Sequence, residues 1–89
     1  MINVKLLGGV KKAVGKASIS LDEPSLSIAE ILMLLRHDAK QPRIFSPNNI
    51  LVAVNGVESS SLDGNDTVVE NGDTVTIVTV VHGGSSKAA

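Results

Sequence analysis

At 89 residues with a formal net charge of −1, the chain is one small domain, well under the length at which chains usually split. Val, Leu and Ile number twelve, nine and seven, which excludes a disordered chain, and Phe45 is the sole aromatic, so the core is expected to be aliphatic. The near-neutral charge and missing rings argue against nucleic-acid binding, and zero cysteines exclude disulfides, thiolate metal sites and cysteine nucleophiles.

No apolar run approaches the ~20 residues of a membrane helix, so a soluble, cytoplasmic protein is expected. Ile2, Val4 and Leu6 alternate with Asn3, Lys5 and Leu7, the period of a strand buried on one face. Gly8-Gly9 reads as a turn and Ala13 to Leu21 as a second strand, giving an N-terminal hairpin. The period then changes. Ser27 and Glu30 form a capping box, with Leu26 and Ile31 placed as its hydrophobic staple. Ile28, Ile31, Leu32, Leu35 and Ala39 make the buried stripe of a helix, and Arg36, His37 and Lys40 fall in its last turn, where cations suit the helix dipole.

Pro42 ends the helix, and Gln41 to Asn49 is a connecting loop. Ile50 to Val54 is a strand that turns back through Asn55-Gly56, the strongest short hairpin signal, into a short return strand at Val57-Glu58. Turn formers fill 59–67, and Glu70-Asn71-Gly72-Asp73 is another tight turn. The last strand, Thr74 to Val81, is the most β-prone segment, with Val75 and Ile77 inward and Thr76, Val78 and Val80 outward. Residues 1–82 thus read as one domain and residues 83–89 as a flexible tail. The order β-β-α-β-β-β, with one helix over a mixed sheet of four to five strands, is an α+β, β-grasp arrangement. Its first and last strands are expected side by side and parallel at the centre.

Motifs for independent chemistry fail. Gly9 to Lys16 looks like a phosphate-binding loop but has one residue too many between its glycines, and Ala17 replaces the metal-binding hydroxyl. Asp63 to Asp66 lacks the spacing of a calcium loop, and His37 and His82 have no cysteine or carboxylate constellation around them. Neither a metal site nor an enzyme is expected. Gly83-Gly84 stands out because a strongly β-forming strand runs straight into it and only small or polar residues follow. Without a Cβ, two glycines pass extended through a channel that any side chain blocks, and the Gly84 carbonyl is left open to attack.

The chain resembles the ubiquitin-like β-grasp family from Met1 to Gly84. Met1-Ile2 and Glu23-Pro24-Ser25-Leu26-Ser27-Ile28 are similar to ubiquitin. Val52-Ala53-Val54-Asn55-Gly56, Val69 to Ile77 and Gly83-Gly84 are closer to the sulfur-carrier branch, which holds the thiamine sulfur carrier, the small molybdopterin synthase subunit and archaeal small modifiers.

The resemblance implies that an activating enzyme uses ATP to adenylate the terminal glycine carboxylate, with no cofactor bound by the chain itself. A modifier then passes through enzyme thioesters, with a conjugating enzyme and ligase, to lysines of target proteins. A sulfur carrier instead forms a thiocarboxylate for thiamine, molybdopterin or tRNA thiolation. The third reading is an interaction module that is never activated. Ser85-Ser86-Lys87-Ala88-Ala89 follows Gly84, so activation requires a deubiquitinase-like protease to cut between Gly84 and Ser85, which favours the modifier; the alternative is an idle extension.

Leu51, Ala53, Val78 and Val80 are expected on the sheet face away from the helix, with Leu7 and Val10 added from the first loop, as a partner-binding patch on a monomer. Lys5, Lys11, Lys12, Lys16 and Lys40 are the candidate acceptors of a second copy. Val80-Val81-His82 replaces the basic residues that precede Gly-Gly in ubiquitin, which implies a dedicated activating enzyme.

Overall fold

The computed structural model describes residues 1–80; Gly83, Gly84 and Ser85, and with them the boundary at residue 82, lie outside the described residues. Strand β1 (Ile2–Leu7) buries alternate side chains, as its period requires. It pairs antiparallel with β2 (Ser18–Leu21) and parallel with β7 (Thr74–Thr79), placing Val4 beside Val75 and Leu6 beside Ile77. Strand β4 (Ile50–Val54) lies antiparallel on the other side of β7 and turns through Asn55-Gly56 into β5 (Val57–Glu58). The five-stranded order is β2-β1-β7-β4-β5, so β1 and β7 run parallel at the centre of a mixed sheet. This is the α+β, β-grasp architecture.

Helix α2 (Ile28–Asp38) covers one face of the sheet. Its start carries both halves of the capping box: Glu30 N–H donates to Ser27 Oγ at 3.1 Å, and Ser27 N–H donates to Glu30 Oε1 at 2.8 Å. Such a cap contributes about 1 kcal/mol. A two-stranded ribbon of β3 (Ser25–Ser27) and β6 (Val68–Glu70) holds this start in place, continued by Ile28 N–H donating to the Thr67 carbonyl. Ile28, Ile31, Leu32 and Leu35 pack against Ile2, Val4, Leu6, Val52, Val75 and Ile77, and Ala39 joins the edge of that cluster.

Besides the β3-β6 ribbon, which the sequence reading does not contain, the structure departs from that reading in three places. The segment after Leu7 is not a tight hairpin turn but a short helix, α1 (Gly9–Val14), and β2 starts only at Ser18. Gly8 adopts φ +70 and ψ −139, a conformation that L side chains rarely take, and this redirects the chain into α1. Gly15 closes the helix in the left-handed region, its N–H on the Lys11 carbonyl. Val10 and Ala13, three apart, turn into the core.

Helix α2 stops at Asp38, so Lys40 stands outside its last turn. The Lys40 N–H instead donates to the Ala13 carbonyl at 3.2 Å. The expected loop holds a 3-10 turn, Pro42–Phe45, which delivers Phe45 into the core at 1% exposure. Phe45 is the largest wholly buried side chain, so the core is aliphatic around one ring.

Candidate partner face and the exit of the C-terminal segment

The sheet face away from α2 is ordered by register. Leu7, Val78 and Leu51 align across β1, β7 and β4, and Leu7 and Leu51 are 49% and 37% exposed. The next row is mixed: Ser18, Lys5, Thr76, Ala53 and Glu58 run from β2 to β5. Residues paired in register share a face, so the apolar row sits at the end of β7 from which the C-terminal segment departs. Val80, half-buried, follows at that same end. Val10 does not join them. It is wholly buried, because α1 turns it inward where a hairpin loop would have left it outside.

The end of β7 is held on both sides. Thr79 Oγ1 accepts a hydrogen bond from Val10 N–H at 2.9 Å, satisfying one of the N–H groups that a helix start leaves without an intrahelical partner. A Cβ added to Gly9 would lie 3.0 Å from both Thr79 Oγ1 and Ile44 Cδ1, so a side chain here fits only if these neighbours give way by a few tenths of an ångström. On the opposite side Val80 N–H donates to the Asn49 carbonyl at 2.9 Å, and Asn49 Nδ2 donates to the Arg43 carbonyl at 3.1 Å. The point where the chain leaves the sheet is therefore fixed by α1 and the 42–49 segment together. Sequence reasoning missed Thr79, Asn49 and the packing role of Gly9; a hydroxyl inside the run Val78-Thr79-Val80 was the one available signal.

At the other end of β7 the turns are tied by side chains. Asn55, at φ 49, donates from Nδ2 to Asp73 Oδ1 at 3.0 Å and accepts Thr74 N–H on Oδ1 at 2.9 Å. Asp73 Oδ2 accepts Glu70 N–H at 2.7 Å. That backbone N–H first, and the Asn55 amide second, hold the Asp73 carboxyl below its ordinary value against the opposing effect of burial.

The five candidate acceptor lysines, Lys5, Lys11, Lys12, Lys16 and Lys40, are all exposed. The segment resembling a phosphate loop is α1 itself, with the Val10 N–H already taken by Thr79. Among the described residues, no group of three or more His, Asp or Glu side chains is placed to hold a metal ion, and no helix is long and apolar enough to cross a membrane.

Fold and register define a ubiquitin-like β-grasp protein. The ThiS family model matches residues 4–84, and the chain belongs to the ThiS family. Its structure is similar to Urm1 from Trypanosoma brucei, with 27% identity, a TM-score of 0.73, and coverage of 93% of this chain and 94% of that one. It is also similar to small archaeal modifier protein 1 from Methanosarcina acetivorans (21% identity, TM-score 0.72, 93% and 95% coverage). A third similar structure is the Amycolatopsis orientalis BexX/CysO complex (21% identity, TM-score 0.72, 94% and 100% coverage). No curated protein matches the sequence.

Proposed function

We propose that the chain is a ubiquitin-like protein modifier whose acyl donor is Gly84, presented through Gly83 after cleavage between Gly84 and Ser85. In the freed form a carboxylate oxygen of Gly84 attacks the α-phosphorus of ATP on an activating enzyme, and pyrophosphate leaves. An enzyme thiolate then displaces AMP to form a thioester. A lysine amine of a target protein displaces the thiol and forms an isopeptide bond. The chain supplies the electrophile and the surface, and its partners supply the nucleophiles.

The observation that carries this reading is the fixed exit at Thr79 and Val80, which starts the following residues from a defined point beside the Leu7, Val78 and Leu51 row. The family match, which runs through residue 84, supports the same boundary. Membership of the ThiS family favours a second reading, in which the acyl-adenylate is converted to a thiocarboxylate and the chain serves as a sulfur carrier.

Mass spectrometry of protein from its native cell separates the two. Branched Gly-Gly remnants on lysines of other proteins are expected, whereas a terminal thiocarboxylate would replace the modifier with the carrier. Retention of Ser85 to Ala89 on all of the protein would end both. Gly83→Leu should abolish adenylation by the activating enzyme while leaving the melting temperature unchanged; a variant that unfolds would make the glycine structural.

A further inference from the structure

Charge is unevenly distributed along the chain, and the fold gathers it. Residues 1–21 hold four lysines and no carboxylate, and residues 39–57 hold Lys40 and Arg43 and again no carboxylate. All nine acidic residues fall within 22–38 and 58–73. Tertiary structure joins the two basic stretches through the Lys40 N–H bond to the Ala13 carbonyl. Lys12 and Lys40 line one groove with Gly9 and Ile44, and Lys11, Lys12 and Lys16 line the adjoining one with Gly8 and Gly9.

These elements also fix the exit of β7, by Val10 N–H on Thr79 and by the Arg43 to Asn49 to Val80 chain of bonds. Lys11 and Lys12 on α1 and Arg43 on the 42–49 segment therefore stand on the elements that hold Thr79 and Val80, with Lys16 and Lys40 beside Lys12 in the adjoining grooves. All five are exposed, and none forms an ion pair among the described residues. Asp22, Glu23, Glu70 and Asp73 gather at the opposite end, where Gly72 N–H meets the Met1 carbonyl and Asn71 N–H meets that of Pro24. One carboxylate, Glu58, lines a groove shared with Val80, on the β5 side and away from α1.

We infer that this basic collar docks an acidic face of a partner protein, alongside the apolar row of Leu7, Val78 and Leu51. Five cations without carboxylate partners repel one another, and an acidic surface removes that repulsion. The net charge of −1 conceals a separation of charge that turns an approaching acidic surface toward the exit. A nucleic acid fits less well. The chain has no Trp or Tyr and its one Phe, Phe45, is buried, so the collar offers no large ring as a stacking platform, and the neighbouring apolar row has no use for a phosphate backbone. The inference builds on the reading of the exit as the partner-facing end, and adds the chemistry of the surface that meets it.

The test is a titration of the ¹⁵N-labelled full chain at low salt with a synthetic glutamate and leucine peptide, and separately with an oligothymidylate of equal charge. Amide shifts are expected across 8–16 and 40–49, with an association rate that falls about tenfold or more in Lys11→Glu/Lys12→Glu. Asp22→Asn, a change at the acidic end, should leave binding near that of the unaltered chain. Absence of peptide binding, shifts confined to the acidic end, or tighter binding of the oligonucleotide would each overturn the inference. Failure of the peptide to bind the unaltered chain, with Gly84 still adenylated and that adenylation unaffected by Lys11→Glu/Lys12→Glu, would remove the collar and leave the proposed function standing. Peptide binding with no adenylation of Gly84 would do the reverse.

Discussion

The two ends of the central strand β7 are secured by different chemistry. At its start, Asn55 and Asp73 close the turns with side-chain hydrogen bonds at the surface, in a region rich in carboxylates. At its finish, Thr79 packs into a glycine-lined contact under α1, Val80 is held by the Asn49 backbone, and the nearby charges are cations. The first end is a knot of two turns that is also tied to the start of β1 and to Pro24, by Asn3 N–H on the Asp73 carbonyl, Gly72 N–H on the Met1 carbonyl and Asn71 N–H on the Pro24 carbonyl. The second requires three distant segments to meet, and it leaves an apolar row and uncompensated charge exposed where the chain departs. The difference teaches that one end spends its polar groups on closing turns, while the other leaves apolar side chains and cations at the surface.

The most disruptive test removes what both ends share. Leu35→Ala leaves a cavity under the sheet and should destabilise the fold by about 2–5 kcal/mol, with amide exchange accelerating at both ends together. An unchanged melting curve would show that the buried stripe of α2 does not support them.

A smaller effect separates the two. Thr79→Val keeps the shape of the side chain but leaves the Val10 N–H without its acceptor, and should cost about 1 kcal/mol. Exchange should accelerate at Val10 while the amide of Thr74, held by Asn55, stays protected. If both amides accelerate equally, the ends are not independent.

The smallest effect appears only in acid. The carboxyl of Asp73 is held below its ordinary value, so it contributes stability that is present above the unfolded carboxylate value of about 3.9 and lost as pH falls through the lower folded value. Asp73→Asn should therefore show a flatter loss of stability below about pH 4 than the unaltered chain, followed by acid unfolding curves. Identical curves would mean that the knot draws nothing from the charge.

Legibility followed the range of the interaction. The capping box was readable because Ser27 and Glu30 are three residues apart, and the Asn55-Gly56 hairpin because its conformational demand lies within one dipeptide. The alternation in β1 and the inward face of β7 were equally plain, since burial of one face repeats every two residues. Helix α1 was not. At six residues it is too short for periodicity to distinguish it from a turn, and it stands because Val10, Ala13 and Val14 meet the core and Gly8 redirects the chain. The same error placed Val10 in the surface patch. The burial of Phe45 was hidden for a related reason: nothing in a proline-rich loop states where its one aromatic side chain goes.

The sequence by itself determined a mixed sheet under one helix, the residues on either face, and the diglycine that follows the last strand. Only the tertiary structure decided that α1 and the 42–49 segment hold the exit, that Leu7, Val78 and Leu51 form one row, and that the lysines of one segment meet the cations of another. Caps, turns and alternating faces are set by neighbours a few residues away. The bond from Val10 to Thr79 spans 69 positions, and such a contact exists only once the whole core has brought its ends together.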